Sequence, residues 1–114
     1  MEALQKLMDW NRDFCRRVFP KHADDPVAPL HHLKEEVEEV IESVKWDQAS
    51  DKLEDSTLEE YADCLILLVG SATRLGITAE QLLEASFDKM QKNEERDWGE
   101  PDEKGVYKHI KSES

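Results

Sequence analysis

The chain has 114 residues, with 27 acidic against 15 basic side chains and a net charge of −12. That length supports one small domain with a single core, and so acidic a surface excludes a binder of nucleic-acid phosphates, which needs basic side chains to displace counterions. A small anionic substrate would need help from a metal. The longest apolar run, Cys64 to Val69, is far short of the ~20 residues that span a bilayer, and no charged-then-apolar leader follows Met1. Cys15 and Cys64 each sit in an apolar helical pattern, where a free thiol behaves as a small buried hydrophobe. These features lead us to expect an unprocessed, soluble, cytoplasmic protein with no membrane partner and no disulfide.

Leu4, Leu7, Met8, Phe14, Cys15 and Val18 collect on one face of a first helix that Pro20 ends. A connector from Lys21 to Ala28 precedes a second helix with Pro29 in its first turn. Its core stripe is Leu30, Leu33, Val37, Val40, Ile41 and Val44, and it runs to about Trp46. Ser56-x-x-Glu59 reads as the capping box of a third helix that reaches Leu75, with Gly76 placed for a left-handed C-terminal cap. Thr78-x-x-Gln81 reads as a second capping box, opening a fourth helix whose inner face is Leu82, Leu83, Ser86, Phe87 and Met90 and which fades near Trp98. In the tail from Gly99 to Ser114, Val106, Tyr107 and Ile110 form a candidate single helical turn. No segment alternates with period two over a strand length. The expected architecture is an all-α, four-helix up-down bundle in one domain over 1–114, with its core in 30–98 and a short C-terminal tail.

Two acidic clusters stand out: Glu35-Glu36-x-x-Glu39 on the second helix and Glu60-x-x-Asp63 on the third. Carboxylates three or four residues apart share a helix face and repel one another. A turn of roughly 100° per residue puts His32, Glu36, Glu39, Ser43 and Trp46 on one flank of the second helix, with Glu38 and Glu42 elsewhere. Glu60 and Asp63 share a ridge that continues through Leu67 and Gly70, so a face that begins acidic becomes apolar. Acid-rich helical faces are commonly just solvated. Here both clusters flank the core, few basic residues lie near in sequence, and unpaired carboxylates out of water are costly. A divalent cation resolves the conflict, and hard oxygen ligands of this kind suit Mg²⁺, which often engages substrate phosphates. Glu35, on the outer side of the ridge, is placed either to activate a water or to do nothing.

On the fourth helix Lys89, Asn93 and Arg96 make a cation, amide, cation ladder able to hold phosphate oxygens, or else a salt-bridged exposed face with Glu94, Glu95 and Asp97. Trp10 and Trp98 read as core or bundle-edge residues, and Trp46, at the end of the acidic ridge, as either core or a platform for a base. His31 and His32 lack the companions of a zinc site. His32 is spaced to orient Glu36.

These residues resemble the MazG-type all-α nucleoside triphosphate pyrophosphohydrolases. The pattern E-E-x-x-E followed after about twenty residues by E-x-x-D is met by Glu35, Glu36, Glu39, Glu60 and Asp63, and Lys89-Met90-x-Lys92-Asn93-x-x-Arg96 is similar to an element on that superfamily's last helix. The run Glu36 to Glu39 followed by Trp46 resembles the dCTP pyrophosphatase branch. That branch has glycine where this chain has Glu38 and lacks Glu35 from its pattern, and both departures count against dCTP. Carried over residue by residue, the resemblance implies Glu36, Glu39, Glu60 and Asp63 as Mg²⁺ ligands and Glu35 with Glu36 as catalytic residues, Glu35 orienting the water. It implies substrate contacts from Lys89 and Asn93 to the triphosphate and from Trp46 to the base, to which His32 and Arg96 are added. It further implies a homodimer or homotetramer with composite sites. The expected reaction is Mg²⁺-dependent hydrolysis of an NTP or dNTP to monophosphate and pyrophosphate. The alternatives are phosphoribosyl-ATP pyrophosphohydrolysis and a non-enzymatic acidic interaction module.

Overall fold

The computed structural model describes residues 2–110. All four of its elements are helices: α1 (Glu2–Val18), α2 (Ala28–Ser50), α3 (Asp55–Arg74) and α4 (Ala79–Glu95). The all-α, four-helix class read from periodicity is the observed one, and the sole strand-like pairing among the described residues is an isolated bridge between Trp98 and His109. No single helix among them is long and apolar enough to cross a membrane. Contacts divide the chain into two units, Met1–Glu80 and Gln81–Ser114.

In the first unit α3 is the central element, with α1 and α2 both packed on it. Met8, Cys15, Ala23, Val40 and Val69 are buried there. The connector between α1 and α2 has no helical ladder of its own, so side chains satisfy its carbonyls. Arg12 Nη1 donates to Ala23 O at 2.6 Å, Ser71 Oγ to Pro26 O at 2.6 Å and Arg74 Nη1 to Asp25 O at 2.9 Å. The connector is thereby pinned to α1 and α3.

Helix boundaries depart from the sequence reading in three places, one being α4, which ends at Glu95 and not near Trp98. α2 runs past Trp46 to Ser50 and closes on Asp51, whose φ of 54° is left-handed. The apolar stripe stops sooner, yet Gln48 and Ala49 carry no penalty against continuing the helix. α3 begins at Asp55, so Ser56 lies inside its first turn and the expected Ser56–Glu59 capping box does not form. Glu54 is the cap residue, and the buried Asp47 accepts its backbone N–H through Oδ2 at 3.3 Å. At the other end Gly76, at φ 79°, takes the left-handed position expected of it.

The second unit holds most of α4 and the tail. The tail does not make the expected helical turn around Val106, Tyr107 and Ile110. It doubles back, with Gly99 N–H bonded to Lys108 O at 3.0 Å and Ile110 N–H to Asp97 O at 2.8 Å. Asp102 organises the reversal: its Oδ1 accepts from the backbone N–H groups of Lys104 and Val106, both at 2.9 Å, and Gly105 supplies φ 83°. Residues 111–114 of the expected tail lie outside the described part.

Several residues read as core are exposed in the single chain: Leu30, Val37 and Ile41 on α2, Phe87 and Met90 on α4, and Trp10. Leu65 and Leu68 on α3 are about half exposed as well, at 48% and 50%. The helical pattern marks apolar faces correctly, but it does not say whether the same chain covers them.

Candidate active site

The α2–α3 pair brings the two acidic clusters together. His32, Glu36, Glu39 and Ser43 recur on one flank of α2, opposite Glu60 and Asp63 on α3. Ser43 Oγ donates to Glu60 Oε1 at 2.5 Å, tying the helices across the cluster. His32 Nε2 stands 3.2 Å from Glu36 Oε1 one turn away, and the Glu36 side chain is only 15% exposed. Each of these two acids is therefore held by a neighbour on the ridge, and the spacing of His32 to Glu36 matches the sequence reading.

Electrostatics show how closely the carboxylates approach. The Glu39 carboxyl is raised above its ordinary value, first by the charge of Glu36, then by a side-chain hydrogen bond with Glu36, then by partial loss of solvent, and last by Glu60 and Glu35. The Cys64 thiol is also raised, by burial first and then by Glu36, Asp63, Glu60 and Glu39. All four expected ligands thus act on one sulfur atom. A thiol so placed is kept protonated and is no nucleophile.

Among the described residues, Glu39, Glu60 and Asp63 form no ion pair with a basic side chain. Among the same described residues, no three His, Cys, Asp or Glu side chains stand close enough together to hold a metal ion as placed. The acids are neighbours short of positive charge. Their chemistry fits a hard divalent cation, because all the donors are carboxylate oxygens. Glu35 is exposed, close enough to Glu39 to raise it, and lines a shallow apolar recess with Leu30, Leu33 and Val37.

Beside the acids lies a cavity of about 400 Å³ that the sequence reading missed. Glu36 and Asp63 belong to its wall, with Phe14, Phe19, Pro29, Ile66 and Leu67 as apolar surface and Asn11 as an uncharged polar group. Its volume falls in the range of roughly 300–1,000 Å³ usual for small-molecule sites. Asn11 shares the buried stripe of α1 with Met8 and Cys15, at spacings of three and four. A polar residue interrupting an apolar stripe was the available signal.

Trp46 is 69% exposed and lines a different recess with Ser43, Asp47 and Thr57. Lys89 and Asn93 lie on the α4 part of the second unit, whereas Arg96 falls just past the helix end at Glu95, so the expected ladder is helical only as far as Asn93. There the Asn93 carbonyl accepts from Trp98 Nε1 at 3.0 Å.

A family model described as dATP/dGTP pyrophosphohydrolase matches residues 6–114. No curated protein and no solved structure matches the chain. The match takes in both acidic clusters, Asn11 and the α4 ladder, and it makes the chain a hydrolase of acid anhydrides rather than a non-enzymatic acidic module. Carboxylates from two adjoining helices wall part of the cavity, with Lys21 and Arg74 also in its lining, and the chain belongs to the dATP/dGTP pyrophosphohydrolase family.

Proposed function

We propose that this protein hydrolyses a purine deoxynucleoside triphosphate, dATP or dGTP, to the monophosphate and pyrophosphate with Mg²⁺ as cofactor. The observation that carries the reading is the placing of Glu36 and Glu39 on the flank of α2 that Ser43 ties to Glu60, with Asp63 beside it on α3, and with no basic side chain paired to Glu39, Glu60 or Asp63 among the described residues. These four residues would hold Mg²⁺, and the ion, when bound, neutralises phosphate charge and makes a bound water more acidic. The chain's own contribution is orientation. His32 fixes Glu36, Ser43 fixes Glu60, and Glu35 is the group proposed to align the attacking water for in-line displacement. Lys89 and Arg96 are proposed to stabilise charge on the leaving pyrophosphate, with Asn93 as a further triphosphate contact. This chemistry uses no covalent nucleophile, in keeping with a Cys64 thiol that stays protonated.

A second part of the proposal is assembly as a homodimer or homotetramer, supported by Leu65 and Leu68 on α3 and Leu30, Val37 and Ile41 on α2, all exposed in one chain. Burying such faces against a copy of the chain removes apolar surface from water at about 25 cal/mol per Å². A clean monomer by light scattering at micromolar concentration would rule this part out.

The reaction is tested by assaying phosphate from each dNTP and NTP, with and without added inorganic pyrophosphatase and with and without Mg²⁺. Phosphate is expected only when the helper enzyme and Mg²⁺ are both present, and dATP or dGTP is expected to lead. Phosphate released without the helper enzyme would sink the assignment.

A further inference from the structure

We infer that Asn11, seated on Gly70, is the residue that selects a purine base. This rests on the reading of the site as a deoxynucleotide pyrophosphohydrolase and adds to it the group that tells the bases apart. A Cβ built on Gly70 would stand 2.6 Å from Asn11 Oδ1, so the amide fills the space that any larger residue at position 70 would take. The Asn11 Oδ1 receives one long contact, from Cys15 Sγ at 3.9 Å, and the amide nitrogen donates to no group among the described residues. A part-buried amide with a donor left to offer can serve an acceptor atom of a bound ligand. The amide belongs to the wall of the same cavity as Glu36 and Asp63, whose apolar lining includes Phe14, Phe19, Ile66 and Leu67.

The spacing along α3 suits a nucleotide. Asp63 and Gly70 are seven residues apart on one helix, about 10 Å at 1.5 Å per residue. That is comparable to the reach of a deoxyribose and a purine beyond the phosphate. With the phosphates at Asp63 and the base between the apolar side chains, the far edge of a purine comes to the amide above Gly70. Adenine offers N7 as acceptor and the 6-amino group as donor, and an asparagine amide pairs with both. Guanine offers N7 and O6, both acceptors, which the amide nitrogen can serve. N7 is common to the two purines and absent from pyrimidines. One amide therefore accepts dATP and dGTP while giving dCTP and dTTP no partner at that depth.

The test compares kcat/KM for the four dNTPs in the wild type and in Asn11→Leu, Asn11→Asp and Gly70→Ala, alongside calorimetric titration with dAMP, dGMP, dCMP and dTMP. Asn11→Leu is expected to lower kcat/KM for both purines by ~10-fold or more, the usual scale for one base-reading pair, and to leave the pyrimidines within about twofold. Asn11→Asp keeps an acceptor for adenine's amino group but loses the donor for N7, so it is expected to penalise dGTP more than dATP. Gly70→Ala, which displaces the amide without touching an acid, is expected to shrink the purine advantage in the same direction. Trp46→Ala is expected to leave the purine to pyrimidine ratio unchanged whatever it does to the rate, since Trp46 lines another recess. An equal fall across all four dNTPs, or a wild type that does not prefer purines, would overturn the inference. Should the wild type turn over no nucleotide, the proposed reaction fails but the monophosphate titrations still decide. Purine-selective binding that Asn11→Leu abolishes supports Asn11 as the reader, and indifferent binding refutes it.

Discussion

Replacing Ser43 by alanine removes one atom from the acidic ridge and spares every carboxylate. The Ser43 hydroxyl donates to Glu60 Oε1 at 2.5 Å across the α2–α3 contact. Hydrogen bonds to charged groups contribute about 1.5–3 kcal/mol when well made, and both residues here are only partly buried, so water replaces some of the loss. We therefore take the low end, about 1.4 kcal/mol, which is tenfold in an equilibrium constant and agrees with the ~10–100-fold cost of losing a group that orients a metal ligand. The expected outcome is a roughly tenfold rise in the Mg²⁺ concentration giving half-maximal pyrophosphate release, with Ser43→Thr restoring most of it. Folding is expected to lose up to about 1 kcal/mol, because alanine's better helix propensity offsets only a few tenths of the lost bond. A melt at or above the wild-type temperature together with an unchanged Mg²⁺ response would refute the role given to Ser43 and, with it, the placing of Glu60 as a ligand.

Other outcomes follow from the same geometry. Met8 is fully buried, so Met8→Ala is expected to cost about 2–5 kcal/mol in urea unfolding, and a loss under 1 kcal/mol would mean that α1 is not part of the core. Gly76 sits at φ 79° with open space around its Cβ position, so Gly76→Ala is expected to cost about 1–2 kcal/mol from backbone conformation alone, and Gly76→Asn less. Glu39 is raised above its ordinary carboxylate value in the fold. Folded Glu39 thus holds its proton more tightly than in the unfolded chain, and its own contribution to stability without metal is fully present below the ordinary glutamate range and is lost as pH rises through the raised value. Thermal melts in EDTA across pH 4–8 should show this loss, and Glu39→Gln should flatten it without lowering stability at neutral pH. A Glu39→Gln protein that melts well below wild type in EDTA would show that Glu39 is a structural partner instead.

How far the sequence could be read depended on what each signal measures. Apolar periodicity located all four helices because it reports a face, and Gly76 was legible because a left-handed cap needs a residue without Cβ. Helix ends were less so. The polar run after Trp46 has no periodicity to extend, and the start of α3 is set by Asp47 reaching Glu54 across the turn, a contact between residues seven apart that no local motif encodes. The acidic neighbours were legible because all of them lie on two helices whose phases can be counted. The cavity was not, since its wall also takes side chains from α1 and the connector, and their approach depends on how α1 packs on α3. Leu30, Val37 and Ile41 show the remaining gap: their pattern is that of a core, but the single chain leaves them exposed.

The ridge Glu60, Asp63, Leu67, Gly70 ties these threads into one argument about α3. Along this single face the helix passes from carboxylate to aliphatic to a residue with no side chain, which matches the chemistry of a nucleotide read from its phosphates to its base. A rigid helix fixes those positions to one another better than separate loops would, because the spacing is set by backbone hydrogen bonds and not by side-chain packing. It also sets what each end offers a ligand. Like charges crowd at the acidic end, and the Asn11 amide at the Gly70 end keeps a donor to offer a base. Both are met by one ligand bound in one orientation. A substrate that supplies only phosphates, or only a base, meets one and leaves the other unanswered, so the selectivity proposed for the whole nucleotide rests on the spacing along this one helix.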